Sequence, residues 1–402
     1  MKLIKNLSWI FFANAFVALA KWVMVILIAK TLTPIEVGIY SLGFAVAAPI
    51  SLFANMKLRS LYITGTTDDL SDYIVTRRLF SITALLIMVI IGAFVYPQYT
   101  IVIILVGISK ILDLDSDLYY SVPHKYNNLN LVGKLMIGKQ TILLLIFACF
   151  LIIFRDLTIA LLSQIILQLF FLLMVERNII LYKYKTNTKN SSWLGIKGLI
   201  LLGLPLGLVQ MIVSINTNYT RYVLEYLEDP EVLGYYSAII YLANIANLFM
   251  TSITQVLLPK LSSFYKNKQI LLFKKYIFIY LPLLSFLIGI WIMGFAILFG
   301  EQFLRFFYGD NYADFHNILI LCVLSVLINL FVFNFDNAMM AMRYISIQPK
   351  INLLNLFLTI IGGYWFVSTY GIKGAAITLI ISAIFQLLLR VYFITKKINS
   401  IN

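Results

Sequence analysis

The sequence predicts an all-α polytopic membrane protein of about twelve transmembrane helices in two six-helix lobes around a central cleft. Three observations predict it. Of 402 residues, 61% are hydrophobic and 12% charged, whereas a soluble domain carries about 25% charged residues. Apolar runs near the roughly 20 residues that cross a bilayer recur twelve times. A short motif recurs at about half the chain length. No soluble core of this mass hides so much apolar surface, because much of any fold faces its solvent. That solvent is lipid, which excludes a soluble enzyme, a disordered chain and a disulfide scaffold.

The first run, 7–29, follows Lys2 and Lys5 and contains Lys21. Its basic start and Ala18-Leu19-Ala20 also fit a cleavable signal peptide. The apolar pattern continues through 22–29, however, and the span has a partner in the second half, so it is expected to be retained. Runs at 38–56, 79–95 and 99–119 follow. The fourth is the weakest, because its second half carries Lys110, Asp113, Asp115 and Asp117. Runs at 135–154 and 157–181 complete the first half, and a polar connector covers 182–197. The second half holds runs at 198–218, 233–258, 276–299, 317–340, 351–367 and 375–393. The lobes are expected over 1–190 and 191–402.

The net charge of +14 is sorted by location. With the N-terminus in the cytoplasm, 24 of the 31 Lys and Arg fall on the inner side and 5 on the outer, leaving Lys21 and Lys110 within spans. This is the positive-inside distribution, and a missed helix would invert every later loop. Both termini are therefore expected in the cytoplasm. The charge marks topology, not a nucleic-acid partner. Most of the tyrosines near span ends read as an interfacial belt, and Cys149 and Cys322 as small apolar residues.

Pro34, Gly38, Tyr40 and Ser41 recur as Pro230, Gly234, Tyr236 and Ser237, offset by 196 residues. Each set follows the first span of its half, where proline opens a helix without needing its own N–H. Six is an even number, so the halves enter the membrane from the same side. They are expected to be parallel repeats, the layout of a carrier.

An ionisable group inside a bilayer costs roughly 2.5–3.5 kcal/mol on insertion scales and usually faces protein or water. Lys21, with Asn14 two turns earlier, is expected to line a cleft as a substrate contact. Lys110, Asp113 and Asp117 share one face of the fourth span. Lys110 is a candidate for substrate contact, Asp113 and Asp117 for counter-charge or coupling. The same residues also read as an internal ion pair. Asp113 and Asp115 point about 200° apart on a helix, so no metal site is expected. The second half carries polar stripes: Gln210, Ser214, Thr217 and Arg221; Asn244, Asn247, Thr251 and Gln255; Asn352, Asn355 and Thr359. Asp336 lies one heptad after Asn329. Any one of these amides can serve as a bond between helices. Together they mark Arg221, Gln210, Thr217, Asn244, Asn247 and Asn355 as candidate substrate contacts, and Asp336 as a coupling or counter-charge candidate. Amides and hydroxyls suit sugar hydroxyls, and Lys or Arg suits phosphate. There is no Walker loop, paired-histidine motif or nucleophile elbow. No cofactor is expected, and secondary or facilitated transport remains.

The segment 8–40, with Leu32-x-Pro34-x-x-x-Gly38-x-Tyr40, resembles bacterial O-antigen and capsular polysaccharide flippases. So does 216–237, where Asn216-x-Asn218-Tyr219-x-Arg221-Tyr222 leads into Pro230-x-x-x-Gly234-x-Tyr236-Ser237. Tyr370-Gly371-Ile372-Lys373-Gly374-Ala375-Ala376 is similar to a segment of the wider multidrug, oligosaccharidyl-lipid and polysaccharide exporter superfamily. The resemblance implies a non-enzymatic flippase of the bacterial plasma membrane. It would carry an undecaprenyl-pyrophosphate-linked oligosaccharide from the inner to the outer leaflet by alternating access. It gives Lys21 and Arg221 the task of neutralising pyrophosphate, and a glycan polymerase and chain-length machinery as partners. Two alternatives stay open within transport: a cation-coupled multidrug exporter and a peptidoglycan-precursor lipid flippase. From another class, a non-transporting scaffold for glycan assembly also fits.

Overall fold

The computed structural model describes residues 2–65, 69–186, 188, 191–244, 257, 258, 260–344 and 346–399, with side chains from residue 9 onward, and among these every regular element is a helix. The chain divides into two compact units, Met1–Ile215 and Asn216–Asn402. The first holds α1 (Lys2–Thr31), α2 (Pro34–Asn55), α3 (Leu58–Thr64), α4 (Ser71–Val95), α5 (Thr100–Lys125) and α6 (Leu129–Phe154). Then α7 (Leu157–Phe170) runs through a π-helical turn (Phe171–Glu176) into α8 (Arg177–Tyr184). The division falls within α9 (Trp193–Leu227). The second unit continues with α10 (Pro230–Ala243). Then α11 (Ile270–Lys275) passes through a second π-helical turn (Tyr276–Tyr280) into α12 (Leu281–Tyr308). It ends with α13 (Asp310–Ala313), α14 (His316–Ala341) and α15 (Gln348–Asn399).

Each of the twelve expected spans lies in one of these helices, except for 245–256 of the eighth, which lies outside the described residues. Among the described residues nine helices are long and apolar enough to cross a bilayer. The remaining three spans have physical explanations. The charges at Lys110, Asp113, Asp115 and Asp117 keep α5 out of that set, and α10 is described for 14 residues only. Helix α15 has 52 residues, more than twice what a bilayer requires, and breaks at Gly371 into two spans. The repeated prolines have one role: Pro34 opens α2 and Pro230 opens α10. Glu36 receives the backbone N–H of Thr33 at 3.1 Å, closing the start of α2.

The outward faces are inverted relative to a soluble protein. Phe94 is 83% exposed and Trp291 80%, as lipid contact allows. Inside unit 1, α5 is the hub, packed against α2, α3, α4, α6, α7 and α8. Inside unit 2, α14 packs against α10, α12 and α15, and Asn334 donates to Ser285 at 2.7 Å between α14 and α12.

Four of the cations expected on the inner side are drawn into the units: Arg77, Lys139 and Arg390 are buried and Arg59 partly so. Each is drawn inward by a partner. Arg59 meets Asp117, Lys139 meets Glu176, and Arg390 forks onto Asp336 at 2.6 and 3.3 Å. Arg77 instead closes the end of α2, donating to the carbonyls of Ala54 (2.9 Å) and Asn55 (3.2 Å).

The break in α15 needs two glycines. Gly371 has φ 54° and ψ −132°, a state open to glycine at little cost. A Cβ on Gly374 would lie 1.9 Å from the carbonyl oxygen of Phe366. Gly374→Ala is expected to cost about 1–3 kcal/mol through forced backbone movement, read as a lower melting temperature in detergent. Gly362→Ala is expected to leave that temperature unchanged, since a Cβ there meets nothing closer than 3.8 Å.

Candidate functional site

The charged face of α5 organises the site. Lys110, Asp113 and Asp117 project from it at helical spacing, and side chains from α1, α2, α3 and α7 meet them. From α1, Lys21 donates to Asp113 at 3.1 Å, and from α7, Gln168 donates to the other carboxylate oxygen at 3.2 Å. From α3, Arg59 donates to Asp117 at 2.5 Å and approaches Nδ1 of His124 at 3.2 Å, making that ring nitrogen an acceptor. From α6, Lys139 donates to Ser116 at 2.6 Å and pairs with Glu176 at 3.4 Å. Glu176 is wholly buried and also receives the hydroxyl of Tyr120. Lys110 makes no hydrogen bond or ion pair among the described residues; its ammonium stands 3.8 Å from the centre of the Phe44 ring.

Two adjoining cavities lie along this face. One, of about 30 Å³, is lined by Lys21, Phe44, Lys110, Asp113, Gln164 and Gln168 among others; it has room for a water molecule or two. The amide oxygens of Gln164 and Gln168 are buried there without a hydrogen-bond partner, so the wall offers acceptors for an incoming hydroxyl. The second, of about 190 Å³, is lined by Asn14, Arg59, Ser116, Asp117, Tyr120 and Lys139, and shares Lys21, Asp113 and Gln140 with the first. The wall as a whole sets four cations (Lys21, Arg59, Lys110, Lys139) against three carboxylates (Asp113, Asp117, Glu176). Roomier cavities in unit 2 are almost wholly apolar, lined by Ile292, Phe295 and Phe303 or by Leu358, Ile361 and Phe366.

Five of the sequence-predicted residues therefore meet on one wall: Asn14, Lys21, Lys110, Asp113 and Asp117. Gln210 lies in unit 1 with its amide oxygen buried and without a hydrogen-bond partner. The others belong to unit 2 and do not form one cluster. Arg221 is buried, donates to Asn218 one turn earlier and lies 5.4 Å from the Tyr241 ring centre. Thr217 is exposed and accepts from Asn218 at 3.4 Å, and Asn244 is exposed at the end of α10. Asn355 is fully buried and exchanges hydrogen bonds with Ser382 at 2.9 and 3.1 Å, a bond between the two halves of α15 instead of a cavity wall. Asp336 is held by Arg390, and Asn247 lies outside the described residues. Sequence reasoning missed Arg59, Lys139, Gln140, Gln164, Gln168, Tyr120 and Glu176. The spacing of Gln164 and Gln168 at i, i+4 on one helical face was the available signal. Among the described residues no three His, Cys, Asp or Glu side chains gather to hold a metal ion.

Comparison with known proteins adds a second line of information. The chain is 29% identical over 397 residues to the capsular polysaccharide biosynthesis protein CapF of Staphylococcus aureus, covering 98% of this chain and all of the relative. Its fold is similar to that of the lipid II flippase MurJ in an inward closed conformation. That match has a TM-score of 0.79 and 15% identity, over 96% of this chain and 87% of the other. An inward-facing multidrug resistance transporter of the MATE family, in the MOP superfamily, matches with a TM-score of 0.67 and 15% identity, over 98% and 99% of the two chains. These are folds of multi-pass membrane transporters and flippases, not of enzymes. The family model described as "polysaccharide biosynthesis protein" matches residues 3–265, well over half of the chain, which therefore belongs to that family.

Proposed function

We propose that this protein is a flippase that carries a polyprenyl-pyrophosphate-linked oligosaccharide from the inner to the outer leaflet of a bacterial plasma membrane, by alternating access. The observation that carries this reading is the excess of cations on the wall of unit 1, with Lys110 held over an aromatic ring and no carboxylate at hydrogen-bond distance. A carboxylate that pairs with a lysine is a stand-in for an anionic ligand. Lys21 and Asp113 are each about a third or more exposed at the side chain, so a phosphate oxygen can replace Asp113 on Lys21 without opening the core. Asp113 then becomes free to take up a coupling cation. The unsatisfied amide oxygens of Gln164 and Gln168 suit sugar hydroxyls. Placement in the inner membrane with both termini in the cytoplasm is supported by the positive-inside charge distribution.

The cation excess weighs against a cationic drug as the substrate. A peptidoglycan-precursor lipid presents the same pyrophosphate to this wall and differs in its sugar and peptide. A glycan polymerase acting on the outer leaflet is the natural consumer of the product.

Lys21→Ala and Lys110→Ala should each insert at normal levels and reduce glycan export. A lost charge-assisted hydrogen bond is worth about 1.5–3 kcal/mol, so the expected loss is roughly 10- to 100-fold. It is read as lipid-linked glycan accumulating in the inner leaflet. Export at the normal rate by both variants would sink the phosphate assignment. Asp113→Asn should retain headgroup binding and lose the response to an imposed proton or sodium gradient in proteoliposomes; an unchanged response would remove Asp113 from coupling.

A further inference from the structure

The three aspartates of α5 do not share one side. Asp113 and Asp117 belong to the wall described above, whereas Asp115 lines a separate cavity of about 190 Å³ between α4, α5 and the α7–α8 helix. Three guanidinium groups line it as well: Arg77, Arg78 and Arg177. Arg77 is 99% buried, being 1% exposed, and spends two of its nitrogens on the end of α2 while its Nε has no hydrogen-bond partner. One oxygen of Asp115 is likewise buried and without a hydrogen-bond partner. Arg78 and Arg177 make no hydrogen bond or ion pair among the described residues.

Apart from Tyr119 the remaining lining is apolar, and Leu169 and Leu173 are 44% and 40% exposed. Phe170 and Met174, beside them on the helix, are more exposed still. On a chain whose exposed apolar surface is its lipid-facing surface, this cavity opens towards the bilayer. Its polar requirements are specific. Three guanidiniums against one carboxylate call for an anion, and the guanidinium fork matches phosphate oxygens. The unsatisfied oxygen of Asp115 calls for a donor beside that anion. Leucine walls call for hydrocarbon.

We propose that this cavity binds the headgroup of an anionic phosphodiester lipid of the surrounding bilayer. Arg78 and Arg177 hold the phosphate, Asp115 accepts from a hydroxyl of the headgroup, and the chains lie on Leu169 and Leu173. The site is distinct from the transport wall and independent of the transported substrate. Its occupant couples the local lipid composition to the packing of α4, α5 and α7.

Native mass spectrometry of the full chain in detergent tests this, with phosphatidylglycerol, phosphatidylethanolamine, phosphatidic acid and inorganic phosphate as probes. Phosphatidylglycerol should be retained about tenfold or more over phosphatidylethanolamine, and the double variant Arg78→Gln/Arg177→Gln should lose that advantage. Arg78→Lys/Arg177→Lys, which keeps the charge that sets topology, should retain the lipid more weakly than the wild type. Asp115→Asn should narrow the preference for phosphatidylglycerol over phosphatidic acid, whose headgroup has no alcohol hydroxyl. Lys266→Gln/Lys274→Gln, which removes the same charge in unit 2, should change nothing. Equal retention by the wild type and both arginine variants would overturn the site, leaving its arginines a topological role alone. Retention of inorganic phosphate at millimolar concentration as strong as that of phosphatidylglycerol would overturn the lipid part. Export is not the readout, so failure here leaves the flippase reading standing, and the reverse also holds.

Discussion

The interior charge of α5 is the constraint on which unit 1 depends. A helix carrying Lys110, Asp113, Asp115 and Asp117 cannot face hydrocarbon, since each unsatisfied charge there costs several kcal/mol. It therefore becomes the centre of the unit, and the surrounding helices supply its counter-charges. Lys21 comes from α1 and Arg59 from α3, while Lys139 from α6 and Gln168 from α7 add hydrogen bonds to Ser116 and Asp113. Packing in lipid has no strong hydrophobic drive between helices, so polar contacts and close fit must hold the bundle. Here the same contacts that hold the unit together form its polar wall. Removing one member of a buried pair such as Lys139–Glu176 leaves a bare charge, a loss of about 3–5 kcal/mol.

That economy limits what unit 1 can do alone. Its inner cavity has room for only a water molecule or two, so Lys110, Gln164 and Gln168 meet a headgroup only in a conformation wider than this one. Lys21 and Asp113 are the accessible pair of this wall, with Lys139–Glu176 as the buried support behind them. The roomier cavities of unit 2 are apolar and cannot replace it.

The fold was largely legible because lipid imposes one rule on every span. Runs of apolar residues and the sidedness of lysine and arginine carry that rule openly, and all twelve runs fall in helices as far as the described residues extend. The site was half legible. Lys21, Lys110, Asp113 and Asp117 stand out because a charge inside an apolar run is conspicuous. Arg59, Lys139 and Glu176 lie near span ends, where a charge ordinarily reaches water, and nothing local distinguishes a side chain that turns inward. Asn355 is less legible: an amide at helical spacing looks the same in sequence whether or not it is bonded within the fold, as it is here to Ser382. The arginine cavity was hidden by the positive-inside rule itself, which explains Arg77, Arg78 and Arg177 without requiring any of them to bind.

The π-helical turn at Phe171–Glu176 shows how finely the sixth span is set. Along an α-helix, residues seven apart share a face and residues eight apart diverge by about 80°. Gln168 and Glu176 are eight apart, yet both reach the interior, one at Asp113 and the other beside Lys139. The wider turn absorbs the surplus residue and swings the chain beyond it back into phase. The span therefore measures its length in turns, not residues. The same sequence wound as an unbroken α-helix would keep its hydropathy, its charge and its topology, and would present Val175 to Lys139 in place of a carboxylate.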